Sequence, residues 1–223
     1  MIINLNKPIG WTSFDVCKKV KMITKEKKVG HGGTLDPFAS GVLIIGTGKD
    51  TKKLKYVTDE NKSYDATLCL GEITDTLDLE GRVLQKMKVP ILSKKKITGV
   101  LEDFIGNYNQ TPPMFSAKKV AGKKLYEYAR KNIYIKRVPV MLNIFSISLN
   151  SFDEKSISFS VECSKGTYIR VLGKDISEKL GTIGYLISLT RTKVGEHTIN
   201  QSQSIESFEN SWKSSIQKKN KFQ

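Results

Sequence analysis

Histidine and cysteine are scarce in this chain of 223 residues. There are two histidines, His31 and His197, and three cysteines, Cys17, Cys69 and Cys163, well separated along the sequence. No two cysteines form a C-x-x-C and no ligand cluster accompanies either histidine, which argues against a zinc or haem site. An odd number of thiols without metal spacing instead fits reduced, packed side chains. Long apolar runs are missing as well. The longest aliphatic stretch, Val42 to Ile45, is far too short to span a bilayer, and the opening MIINLNKP has no signal-peptide apolar region. The expectation is a soluble cytoplasmic protein with no metal and no membrane association.

Acid is the other shortage. Against 37 Lys and Arg stand 22 Asp and Glu, a formal net charge of +15. Such a field concentrates polyanions and speeds encounter with them. The surplus is gathered rather than spread. Lys18, Lys19, Lys21, Lys25, Lys27 and Lys28 share a segment with one acid, Glu26. Lys118, Lys119, Lys123, Lys124, Arg130, Lys131, Lys136 and Arg137 share another, opposed by Glu127. Two dense patches favour a nucleic-acid footprint over uniform decoration.

The chain has no internal repeat, and 39% hydrophobic residues suffice for the core of one large domain. Ile2 to Leu5 reads as a short strand ended by Pro8 and Gly10. Thr12 and Asp15 form a capping-box pair ahead of a helical stripe of Val16, Val20 and Ile23. Strands are expected at Val42 to Ile45 and along the alternation Tyr64, Ala66, Leu68, Leu70. Ser93 is placed to cap a helix carrying Ile97, Val100, Leu101 and Phe104. Two adjacent prolines forbid regular structure in QTPPMFSAKK (110–119). A basic helix over Lys123 to Lys131 comes next, then long strands at Val138 to Leu149 and Ser156 to Cys163. A helix after Arg170 ends at Gly181, and a last strand runs from about Tyr185 to Val194. This pattern predicts an α+β fold with a mixed, largely antiparallel sheet flanked by helices and loops. Beyond residue 200 the composition changes, with a helix suggested by Ile205, Phe208, Trp212 and Ile216 before a frayed basic end.

Two tempting motifs fail. GTGKDT (46–51) lacks the first glycine of a phosphate loop and has Asp50 after the lysine. TDTLDLEG (74–81) offers Asp75, Asp78 and Glu80 as Mg²⁺ ligands for a metal-dependent nuclease, but Asp and Gly are ordinary turn residues and an acidic turn between strands is the better reading. The stretch GHGGTLDPFASGVL (30–43) is different. Its glycines permit close approaches, Pro37 restricts Asp36 to extended geometry, and a single carboxylate is isolated in a cationic chain.

That stretch resembles the catalytic loop of the TruB family of tRNA pseudouridine synthases, G-x-L-D-P-x-A-[ST]-G-x-L around a nucleophilic aspartate. LNKPIGWTS (5–13) is similar to the family's K-P-x-G-x-T-S motif. KSYDATLCLGEITDTLDLEG (62–81) is similar to its tyrosine-bearing strand and T-D-T-x-D-x-x-G turn. QTPPMFSAKKVAG (110–122), CSKGTYIRVLGKDISEKLG (163–181) and LTRTKVG (189–195) match further blocks. Six blocks in the family's order cover nearly all of residues 1–195.

The resemblance implies a pseudouridine-synthase-like fold. It implies conversion of uridine to pseudouridine in the T-loop of tRNA, at conventional position 55, without cofactor or metal. The glycosidic bond breaks, the uracil turns, and carbon 5 bonds the ribose. On this pattern Asp36 is the nucleophile, attacking the uracil ring or the ribose carbon. Arg170 pairs with it, and Tyr64 stacks on the extruded base near carbon 5. Tyr168 and Leu189 line the uridine pocket, and His31 contacts RNA beside it. Lys7 and Pro8 support the loop. Lys123 and Lys124 are candidates for RNA-backbone contact. The implied partner is the T-arm stem-loop of tRNA, met by a monomer with no protein partner. Residues 1–199 are expected to form the catalytic domain. Many family members continue into an RNA-binding PUA domain, and residues 200–223 are too few to fold one. A tRNA-folding chaperone with little catalysis is the alternative of a different class, weakened by the presence of Asp36, Tyr64 and Arg170.

Overall fold

In the computed structural model, which describes residues 1–220, secondary structure alternates as the α+β pattern predicts. The first elements are β1 (Ile2–Lys7), α1 (Ser13–Thr24), β2 (Val29–His31), β3 (Ser40–Thr47) and α2 (Leu54–Asp59). After them come β4 (Lys62–Leu70), β5 (Glu72–Thr74), β6 (Val83–Lys86), α3 (Lys94–Glu102) and β7 (Gly106–Gln110). A small hairpin of β8 (Lys119–Val120) and β9 (Lys123–Lys124) leads into α4 (Leu125–Ala129) and the long strands β10 (Val140–Phe152) and β11 (Ser156–Cys163). The chain ends with α5 (Ile169–Lys179), β12 (Gly184–Val194), β13 (His197–Thr198) and α6 (Ile205–Asn220). Two compact units result, Met1–Lys62 with the segment from Thr190 onward, and Ser63–Leu189.

The first unit is built on β3. Its run of Gly41 to Thr47 is buried throughout, as expected of a strand covered on both faces. Leu43 and Ile45 face Ile3, Leu5, Val16, Val20 and Phe208, while Val42 and Ile44 face Leu54 and Val194. β1 and β2 pair with β3 antiparallel. The end of β12 joins it in parallel, Thr190 opposite Ser40. α1 starts where the capping box predicts. The Thr12 amide donates to Asp15 Oδ2 at 2.9 Å, and the Asp15 amide donates to Thr12 Oγ1 at 3.1 Å. The helix suggested near the C-terminus is present as α6. Phe208, with Ile205 and Trp212, packs onto the β1–α1 cluster, and Lys19 and Lys213 hold Glu209 at 2.6 and 2.9 Å. Those two ammonium groups pull the Glu209 carboxyl down to about 2. The basic end expected to fray after Ile216 is still helical to Asn220, and residues 221–223 lie outside the described residues.

In the second unit the strands run in the order β4-β11-β10-β7, with β10 antiparallel to both β11 and β7. Ile157, Phe159, Val161 and Cys163 all point into its core, as their spacing predicts. Ser93 caps α3, and α5 buries Val171, Leu172 and Ile176 before Gly181 ends it at φ +87°. The thiols sit as expected for packed side chains, Cys17 and Cys163 buried and Cys69 half-buried, and burial pushes Cys17 up to about 11. One expected element is wrong. Residues 123–131 do not form a helix throughout. Ala121 and Gly122 both adopt left-handed φ, +49° and +79°, the geometry of a tight primed turn, so Lys119–Lys124 closes as a hairpin and only Leu125–Ala129 is helical.

Among the described side chains of α6, Phe208 is the one buried in the core. Phe208→Ala is expected to lower the unfolding stability of the first unit by about 3 kcal/mol, the usual cost of emptying a buried phenyl site. Urea titration followed by tryptophan fluorescence checks this; an unmoved midpoint would mean that α6 adds nothing to the core.

Candidate active site

The loop from Gly32 to Ala39 has no ladder of its own, so its carbonyls must find other donors. Three side chains supply them. Lys7, at the end of β1 and fully buried, donates from Nζ to the carbonyls of Pro8 at 2.9 Å, Trp11 at 2.6 Å and Pro37 at 3.3 Å. Ser13 Oγ accepts from the Leu35 amide at 2.9 Å and returns a bond to its carbonyl at 3.1 Å. Arg191, buried on β12, donates to Val42 O at 2.7 Å and to Thr34 O and Gly33 O at 3.2 Å each. Where the loop enters β3, the strand runs so close to β12 that a Cβ on Gly41, at φ +108°, would lie 2.2 Å from the Arg191 carbonyl. Only glycine fits there. Asp36 sits between these anchors, half-buried, its carbonyl accepting from the Ala39 amide at 3.1 Å. His31 is half-buried at the end of β2.

The second unit fixes the other candidates. Arg170 lies in the first turn of α5 and is only 4% exposed. It donates to the carbonyls of Thr76 at 2.5 Å and Phe115 at 2.8 Å, and its guanidinium stands 3.5 Å from Asp78 Oδ2. Asp78 is itself built into the acidic turn. Its Oδ1 accepts from Thr76 Oγ1 at 2.6 Å and from the Glu80 amide at 3.1 Å. Asp75 accepts from the Arg82 amide at 2.9 Å, and a Cβ on Gly81 would collide with Thr76 Oγ1 at 2.3 Å. Both aspartates therefore engage arginine and main chain, the turn reading rather than the Mg²⁺ reading. Among the described residues no group of three or more His, Cys, Asp or Glu is placed to hold a metal ion.

Tyr64 on β4 and Leu189 on β12 are buried, and Tyr168 is half-buried at the N-cap of α5. Lys123 is exposed, while Lys124 is half-buried with Nζ 3.3 Å from Tyr126 Oη. Asp36 and His31 thus belong to the first unit; Tyr64, Tyr168, Arg170, Leu189, Lys123 and Lys124 belong to the second. Sequence reasoning missed Arg191, Asp78 as the partner of Arg170, and Gln110, whose carboxamide is buried against the Tyr168 main chain. For Asp78 a signal existed, since an aspartate two residues past a threonine invites a side-chain turn. A buried arginine carries no local mark, because most arginines are exposed.

Residues 21–169 match the model of the TruB family pseudouridylate synthase N-terminal domain. The chain is 50% identical over 194 residues to a tRNA pseudouridine synthase B of Clostridium acetobutylicum, covering 87% of this chain and 67% of that protein. It is 45% identical over 208 residues to the enzyme of the same name from Hydrogenovibrio crunogenus, covering 93% and 69%. Among solved structures, a chain of a Cbf5–Nop10–Gar1 complex superposes with a TM-score of 0.75 at 27% identity, over 94% of this chain and 53% of that one. The chain thus spans about two thirds of these curated relatives and about half of that solved chain.

Asp78→Asn removes one charge of a buried pair. The expected cost is about 3 kcal/mol of stability, and the turn of residues 74–82 should loosen first. Hydrogen exchange at the Glu80 and Arg82 amides measures it; protection equal to the parent's would show that Asp78 does not organise the turn.

Proposed function

The chain belongs to the TruB family of pseudouridylate synthases and is an enzyme of that class, and on that premise we propose that it converts uridine 55 in the T-loop of tRNA to pseudouridine. The observation that carries this reading is the loop of Asp36. A carboxylate is held at half exposure on a backbone locked by Lys7, Ser13 and Arg191, which is what a nucleophile needs if its geometry is to be set before substrate arrives.

The reaction cannot take place inside a base stack, so the uridine is extruded from its loop. His31 stacks beside the vacated position and offsets part of the unstacking cost. Tyr64 provides the aromatic floor, with Tyr168 and Leu189 lining the uridine. Asp36 acts as the ionised nucleophile, and the guanidinium of Arg170 orients its carboxylate. The bond between nitrogen 1 and the ribose breaks, the uracil turns, and carbon 5 bonds to the ribose. Carbon 5 loses its proton near Tyr64 and nitrogen 1 gains one, so the product is an isomer and no external reactant is consumed. Residues 1–199 carry all of these groups and form the catalytic domain. The enzyme works in the cytoplasm as a monomer, and its surplus of lysine supplies phosphate contacts while loop shape and the extruded base specify.

Asp36→Asn is expected to abolish pseudouridine formation while leaving tRNA affinity within about tenfold, because binding rests on phosphates and shape. Product mapping with deamidation excluded decides the matter; appreciable product would remove Asp36 from the mechanism. Log affinity for tRNA should fall with log salt at a slope of about −3 to −6, a handful of phosphate contacts. Neutralising Lys123 and Lys124 should make that slope shallower without moving the modified uridine. A parent protein indifferent to salt would return these lysines to plain surface.

A further inference from the structure

We propose that Gln110 is a positioning residue for this reaction, its carboxamide fixing the main chain at Tyr168 and so the first turn of α5, from which Arg170 acts. The inference rests on the role given above to Arg170.

Gln110 ends β7 and is 1% exposed. Its Oε1 accepts from the Tyr168 amide at 2.8 Å, and its Nε2 donates to the Tyr168 carbonyl at 3.0 Å. One side chain thereby closes a two-point clamp on one residue 58 positions away. Tyr168 is the N-cap of α5 and makes no side-chain cap, while its carbonyl receives the first helical bonds from Val171 and Leu172 at 3.1 Å each. Holding that peptide group therefore sets where the helix begins and how its first turn is rotated. Arg170 is two residues further on.

The orientation of the amide is over-determined. Tyr108 Oη donates to Asp175 Oδ2 in a short bond and accepts from Gln110 Nε2 at 3.3 Å. Burial, and then the bond to Asp175, push the Tyr108 phenol well above its ordinary range, so it remains a donor to that carboxylate. The Gln110 nitrogen must then face both Tyr108 and the Tyr168 carbonyl, which leaves the oxygen for the Tyr168 amide. Tyr108 and Gln110 are two apart on one strand and share a face. Their partners Tyr168 and Asp175 are seven apart on one helix, about two turns or roughly 10 Å. α5 is stapled to β7 at two heights, with Arg170 between them. Pro112 and Pro113 follow Gln110, and Phe115 O then reaches the Arg170 guanidinium directly. One strand end and the segment after it thus constrain both the backbone and the head group of the same arginine.

Gln110→Glu makes one arm of the clamp titratable, and a rate read below the thermal transition reports on position rather than on folding. The ionised acid sets a second acceptor against the Tyr168 carbonyl, whereas the protonated acid restores a donor. The titratable and charged groups around the position are Tyr108 on β7 and, on α5, Arg170 and Asp175, the latter with Lys174 beside it; β10 opposes Gln110 with Val140, which carries no charge. Burial disfavours the ionised form, so recovery belongs to the acid side.

The test is single-turnover pseudouridine formation in tRNA by the full chain, expressed as variant over parent from pH 6 to pH 8.5, below the thermal transition. Gln110→Glu should be at least tenfold slower at pH 8.5 and within threefold at pH 6, with tRNA affinity changed by less than threefold throughout. Gln110→Asn, which keeps the amide but withdraws it by one methylene, should be at least tenfold slower at every pH, and stands in if the glutamate variant does not fold. A glutamate variant whose deficit ignores pH, or an asparagine variant with the parent's rate, overturns the proposal. A parent protein that makes no pseudouridine overturns the functional reading beneath it instead.

Discussion

Buried cations that donate to main-chain carbonyls hold this molecule's irregular backbone in place. Outside helices and strands a carbonyl has no ladder partner, and each one buried without a donor carries the full cost of lost hydration. Lys7 settles three such groups around the loop of Asp36, and Arg191 settles two more, those of Gly33 and Thr34, besides the strand carbonyl of Val42. Arg170 does the same for Thr76 and Phe115, which lie far apart along the sequence. A neutral donor could serve one or two carbonyls; a guanidinium or ammonium serves three and adds charge assistance. The loop and the turn are rigid for that reason, although neither contains regular structure.

The lysine and arginine surplus therefore divides into two populations with different physics. Most of it is solvated and makes the field that an anion meets at a distance. Lys7, Lys62, Arg170 and Arg191 are buried and act at hydrogen-bond range. Lys62 caps α2 by donating to the carbonyls of Val57, Thr58 and Glu60 at 3.2, 2.8 and 2.5 Å, a C-terminal cation where the helix dipole favours one. Ionic strength screens the first population and barely touches the second.

What the sequence made legible follows the range of the interaction involved. The Thr12–Asp15 capping box, the Ser93 cap and the alternation of β11 are local, and they appear where expected. Lys7 as a support for the Asp36 loop could be read only through the resemblance of its K-P-x-G-x-T-S motif, because Pro37, whose carbonyl it holds, lies 30 positions away. The helix expected over Lys123 to Lys131 failed on one dipeptide. Ala121–Gly122 takes the primed-turn geometry usually signalled by Asn-Gly, and alanine at positive φ is not a residue one anticipates there. The Gln110 clamp and the Arg191 anchor span 58 and up to 158 positions, and nothing in a linear pattern marks a side chain whose partner is a distant carbonyl.

That last separation has a consequence in time. The second unit is one continuous stretch, whereas the first is completed only by residues after Thr190. On a ribosome adding about 5–20 residues per second, Arg191 is made roughly 8 to 30 s after Gly33, whose carbonyl it will hold. During that interval Ser63–Leu189 is itself being made, while the loop of Asp36 still lacks its guanidinium. Vectorial synthesis thus leaves the loop of Asp36 without one of its anchors until the whole of the second unit has been made.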